Sequence, residues 1–200
     1  MIVELFGMSR AGKTTQKELL ICKLEKNGLN FAVFQRPPKK FRDFSSLESF
    51  NRYIVDEMSR AHDRYVKERL DFLVYDRGFY DRIALLSADA GNGRVDLEYA
   101  RNMILHLNGK RGAVDVPLMF IVSPKISLDR WDGQRKKGMD STAMNLGLNT
   151  MDDLQGLNYL EAIYLDIGKH NPQVVKINGE VPIEETHSKI CSVTFLSDSS

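Results

Sequence analysis

Apolar residues along the chain fall in short runs separated by amphipathic stretches. Residues 2–6 are apolar apart from Glu4 and end at Gly7, and a helical pattern with Leu19, Leu20 and Leu24 begins near Lys13 and closes at Asn27-Gly28. Residues 30–34 predict a second strand. Ser46 predicts the cap of a long helix over 47–70, whose apolar set (Phe50, Tyr53, Ile54, Met58, Ala61, Tyr65) keeps close to a 3.6-residue period. A third strand is expected at 72–75, helices at 79–90 and 95–107, and a fourth strand at 117–122. A basic helix at 126–137 and a polar, Gly-containing break at 138–150 follow. A helix at 151–169, a fifth strand at 173–177 and a short helix at 183–190 complete the pattern, with a polar tail from 195.

Short apolar strands alternating with helices predict an α/β fold, a parallel sheet of about five strands flanked by helices. Right-handed crossovers place the loops after Phe6, Phe34, Tyr75, Val122 and Ile177 on one edge, where such sheets bind ligands. The expectation is one domain over 1–194, with a small helical lid at about 125–150 and a tail at 195–200. The chain has 200 residues, 42% hydrophobic and 28% charged, enough for a core. Its net charge of +1 gives no case for bulk nucleic acid or anionic membrane as partner. Cys22 and Cys191 have no metal-ligand spacing, and Cys22 is expected to be a small buried residue. The four histidines show no ligand spacing either. No run approaches the roughly 18 apolar residues of a membrane span and the start reads as a strand, so the expected location is cytoplasmic.

Gly7-Met8-Ser9-Arg10-Ala11-Gly12-Lys13-Thr14 matches the phosphate-binding pattern G-x-x-x-x-G-K-[ST]. The glycines let backbone N–H groups of the P-loop turn inward on an anion. Lys13 is expected to reach the β- and γ-phosphates of ATP, Thr14 to ligate Mg²⁺ and Thr15 to donate to the α-phosphate. Arg10 would lie beside the γ-phosphate and neutralise charge in transfer. Asp76-Arg77 follows the third strand. There Asp76 can hold Mg²⁺ through water or take a proton, and Arg77 can hold an acceptor in line.

This P-loop, with the following Thr-Gln and the later Asp-Arg, resembles the thymidylate kinase family and its deoxynucleoside kinase relatives over most of the chain. The resemblance implies a P-loop NTPase fold and ATP-dependent phosphoryl transfer. It gives Arg10 a role in transfer, Arg36 (before Pro37) contact with the acceptor phosphate, and Arg60 contact with the base. It also makes the segment with Arg130 and Arg135 the approach to the lid, and places Phe44 on the acceptor side. Ser9 stands where many thymidylate kinases have an acid, Gly78 where they have an aromatic, and Gln35 near the glutamate base of deoxynucleoside kinases. Trp131 is either a packing residue or a stacking partner for adenine.

The leading expectation is transfer of the γ-phosphoryl group to a nucleoside monophosphate. Two arginines at the acceptor end suit an acceptor that already bears phosphate. The departures leave a nucleoside, or a modified base within DNA, as the alternative acceptor, and a non-catalytic ATP-binding protein as a more distant one. Related kinases are often homodimers.

Overall fold

The structure is a computed structural model that describes residues 1–35, 44–136 and 153–195, with 134–136 by backbone alone. Five strands, β1 (Ile2–Gly7), β2 (Phe31–Phe34), β3 (Phe72–Asp76), β4 (Val116–Ile121) and β5 (Val175–Asn178), pair in the order β2-β3-β1-β4-β5. All pairings are parallel. The helices are α1 (Lys13–Lys26), α2 (Leu47–Glu68), α3 (Phe79–Gly91), α4 (Leu97–Arg111), α5 (Pro124–Lys136), α6 (Leu154–His170) and α7 (Ile183–Phe195). This is the α/β architecture that the pattern predicts.

Local chemistry explains most boundaries. Ser46 caps α2, with Ser49 completing a reciprocal capping box. Asp96 and Asp153 cap α4 and α6. α5 starts at Pro124, two residues before the position expected from periodicity, because proline suits the first helical turn. α7 runs to Phe195 rather than 190, since Ile190 and Thr194 share its buried face. Of the expected lid at 125–150 and tail at 195–200, residues 137–150 and 196–200 fall outside the described residues, and 125–136 belong to α5.

β1 lies at the centre and is buried throughout. Its alternate side chains face opposite helical layers. Phe6 stacks on Tyr80 of α3 with centroids 5.0 Å apart and meets Tyr164 of α6 at 6.1 Å. The other layer includes α1 and α7, which pack on each other. Cys22 corrects the sequence expectation. It is exposed, because the inward face of α1 is set by Leu20 and Leu24, about half a turn away.

The end of β1 fixes the binding edge. Gly7 has φ +113°, and a Cβ there would stand 2.2 Å from the Phe120 carbonyl oxygen. Met8 N–H donates to that same carbonyl at 2.9 Å. Glycine is thus required both by the backbone angle and by the approach of β4. Gly7→Ala is expected to destabilise the protein by about 2–4 kcal/mol through strain and overpacking, read as a lower midpoint in urea.

Candidate functional site

β3 and β4 flank β1, so the loops after these three strands converge. α1 begins at Lys13 without a side-chain cap, leaving its first N–H groups directed at the P-loop. Lys13 is buried, its Nζ donating to Gly7 O at 2.9 Å and Met8 O at 2.5 Å. Burial, then the neighbouring Arg77, push its ammonium well below the ordinary value, against the pull of Asp81 and Asp76. Thr14 and Thr15 are exposed at the mouth of the loop.

Arg10 has φ +58°, a left-handed conformation costly outside glycine, and its guanidinium lies over the Trp131 ring at 4.0 Å. Trp131 is thereby a buried partner of the P-loop arginine. α5 is fastened to the loop by two further contacts. Ser127 Oγ donates to Ser9 O at 3.0 Å, and Arg130 donates to Arg10 O at 2.8 Å and to Gly179 O at 2.9 Å. Arg130, expected to meet phosphate, is thus positioned on backbone carbonyls that join the P-loop to the turn after β5. That turn packs closely, for a Cβ on Gly179 would lie 2.7 Å from Ala11 O.

Asp76 ends β3, and its Oδ2 accepts from Lys17 Nζ of α1 at 2.9 Å. Arg77 follows at φ +66°, its N–H donating to Leu5 O at 3.0 Å. Its guanidinium donates to both oxygens of Asp81 at 3.2 Å. Asp81 is fully buried and also accepts from Tyr164 Oη at 2.7 Å and from Gly7 N–H at 3.4 Å. Burial alone would push its carboxyl up, but Arg77, then Lys13, and the Tyr164 bond together hold it below the usual range. Asp81 in turn raises Arg77 above its already high value. Above it lies Glu4, also fully buried, with Oε1 accepting from Asp81 N–H at 3.1 Å. Desolvation pushes Glu4 up to about 8.

The other expected acceptor residues divide. Phe44 packs against Phe50 and Tyr53, with centroids 5.5 and 5.1 Å away. Arg60 is exposed and ion-paired with Glu57, while the inner face of α2 carries Phe50, Asn51, Ile54 and Met58. Arg36 and the Arg135 side chain lie outside the described residues. Asn51, fully buried, accepts from Arg82 of α3 at 2.8 Å. Lys17, Asp81, Arg82, Asn51 and Tyr164 were not legible as site residues. The one available signal was Asp81 four residues after Arg77, a helical spacing.

Mg²⁺ fits the donors present. Thr14 and Asp76 are hard oxygen ligands at one edge, and no group of three or more His, Cys, Asp or Glu forms a metal cage among the described residues. A groove of about 520 Å³ between α2 and α4, lined by Arg52, Asp56, Tyr99 and His106, includes no P-loop, Asp76 or Arg77 atom. No helix among the described residues is long and apolar enough to cross a membrane.

No family model matches the chain, and no curated protein matches it. Solved structures do. Deoxyadenosine kinase from M. mycoides with bound dATP is similar at TM-score 0.69 and 17% identity, over 96% of this chain and 98% of that one. The same kinase with products dCMP and a flexible dCDP bound gives 0.68 and 18%, over 96% and 97%. With bound dCTP it gives 0.63 and 16%, over 96% and 97%. The chain therefore has the P-loop kinase fold of these proteins along nearly its whole length.

Two outcomes test the buried acids. Asp81→Asn removes the ionic partner of Arg77, which is still partly exposed, and should lower stability by about 2–3 kcal/mol in urea unfolding. Glu4 has the opposite pH signature. Its folded value lies above the ordinary 4.5, so its contribution is fully present below pH 4.5 and lost as pH rises through about 8. The stability difference between Glu4→Gln and the natural protein should therefore drift in favour of Gln across that window, by on the order of a few kcal/mol.

Proposed function

We propose that this protein transfers the γ-phosphoryl group of ATP to a nucleoside monophosphate. The observation that carries the reading is the juxtaposition of the P-loop, which starts at the end of β1, with Asp76 at the end of the adjacent strand β3 and Arg77 just after it; Asp76 is in register with Leu5, and Arg77 N–H donates to Leu5 O. ATP would bind with its phosphates against the P-loop N–H groups and the start of α1. The turn at Gly179, pressed on Ala11 and tied by Arg130, would form the wall on the adenine side. Thr14 and Asp76 would hold Mg²⁺, which when bound screens the phosphate charges.

In the transfer step an acceptor oxygen attacks the γ-phosphorus, the bond from that phosphorus to the β,γ-bridging oxygen breaks, and ADP leaves with the electron pair. Lys13 and Arg10 stabilise the charge on the transferring group. Arg77, fixed by Asp81, holds the acceptor in line. The monophosphate is favoured by proton chemistry. Gln35 directly follows β2, and Asp76 is engaged by Lys17. A sugar hydroxyl needs a base to accept its proton, whereas a phosphate oxygen is already ionised. Arg36, next along the chain, is the second arginine for that phosphate.

A nucleoside acceptor is the second reading. The fold neighbours favour it, being deoxyadenosine kinases, one of them with dCMP as a product. In either case Phe44, Asn51 and Arg82 are the candidates to bound the base pocket between α2 and α3.

The test is ADP formation with Mg²⁺ across the ribo- and deoxynucleoside monophosphates, the nucleosides, and normal and modified DNA. Stimulation by one monophosphate is the expected result. Stimulation by nucleosides alone would move the acceptor to the second reading, and stimulation by DNA alone would overturn both. Lys13→Ala should lower kcat by roughly 10²–10³-fold, with the loss of a charge-stabilising donor. Arg36→Ala should raise the KM for the monophosphate about tenfold or more while leaving that for ATP unchanged.

A further inference from the structure

α3 begins in an unusual way. Its N-cap position is Gly78, which has no side chain to accept from the first turn. A local Ser, Asp or Asn would normally serve there. Glu4 on β1, far away in sequence, occupies the place instead. Its Oε1 accepts from Asp81 N–H at 3.1 Å, and the N–H groups of Tyr80 and Phe79 also bear on the carboxyl. Oε2 is buried, with no hydrogen-bond partner among the described residues. The space is shaped for it, since a Cβ on Gly78 would stand 2.9 Å from both Cδ and Oε2 of Glu4. The same Cβ would stand 2.9 Å from Tyr75 Cβ, so a glycine after Asp-Arg is what leaves room here for both the Glu4 carboxyl and Tyr75.

The residue held by Glu4 is the one that organises the site. Asp81 receives Glu4 at its N–H, while its carboxylate takes Arg77, Tyr164 and Gly7 N–H. We propose that Glu4 is a positioning residue for phosphoryl transfer, capping α3 across the sheet so that Asp81 holds Arg77 and the P-loop in register. The inference rests on the kinase reading for its catalytic half and on geometry alone for its structural half. Glu4 touches no substrate. It acts through Asp81.

A buried acid with an unpartnered oxygen is costly to stability, so its removal separates position from stability. The experiment compares the natural protein with Glu4→Gln and Glu4→Met. It reads melting temperature, Kd for Mg·ATP, kcat with the best acceptor, and amide exchange at Phe79, Tyr80 and Asp81. Glu4→Met should melt at or above the natural temperature and bind ATP within about twofold, yet lose kcat roughly tenfold or more and exchange those amides at least tenfold faster. Glu4→Gln keeps an acceptor oxygen and should retain kcat within about threefold. An unchanged kcat in Glu4→Met would overturn the proposal, as would parallel loss of melting temperature, ATP binding and kcat. Amide exchange needs no turnover. If the natural protein phosphorylates no acceptor, the kinase reading fails by itself, and unchanged exchange in Glu4→Met would still overturn the role of Glu4.

Discussion

The carboxylate of Asp81 is buried where four elements meet, and the site is organised around it. Arg77 from the end of β3, Gly7 from the end of β1, Tyr164 from α6 and Asp81 itself from α3 converge on two oxygen atoms. Such a group is stable inside a protein only when charges and donors surround it. Here Arg77 and Lys13 supply the charge, and the balance keeps Asp81 ionised in spite of burial. Because each partner comes from a different element, the bond network fixes their relative placement as well as their charge.

This arrangement shows how a chain with a net charge of only +1 can still present a local basic edge. Basic groups are concentrated at the loop edge, with Lys13, Lys17, Arg10, Arg77 and Arg130 all placed there, while their acidic partners Asp76 and Asp81 sit just behind. The cations are oriented in advance, and in the proposed transfer little reorganisation would be needed as charge develops. Two of the loop-edge residues, Arg10 and Arg77, sit in left-handed backbone conformations. Backbone strain of this kind persists where surrounding contacts over-determine it, as Trp131 does for Arg10 and Asp81 for Arg77.

Much of the fold was legible because it is written in short-range patterns. Apolar runs of strand length, a 3.6-residue period in α2 and its cap Ser46 are properties of neighbours in sequence. Element bounds moved by one to five residues, at α4, α5, α6, α7 and β5 among others, and did so at ends where capping and tertiary burial outweigh periodicity. Motif order does not say which face of α2 a residue occupies: Asn51 and Arg60, nine residues and so about half a turn apart in phase, lie in the core and in solvent respectively.

The sequence by itself determined the phosphate loop, the parallel sheet and the edge on which chemistry gathers. A strand, a glycine loop and a helix start are contiguous, and backbone N–H groups bind anions wherever that local geometry occurs. Only the tertiary structure decided what surrounds the loop. Glu4, Lys17, Asp81 and Tyr164 lie as much as 160 residues apart and share no motif, so their meeting depends on strand order and helix packing. The ionisation of Glu4, Asp81 and Tyr164 follows from that meeting. Desolvation and the nearest charges set it, and both are properties of three-dimensional neighbours rather than of the chain.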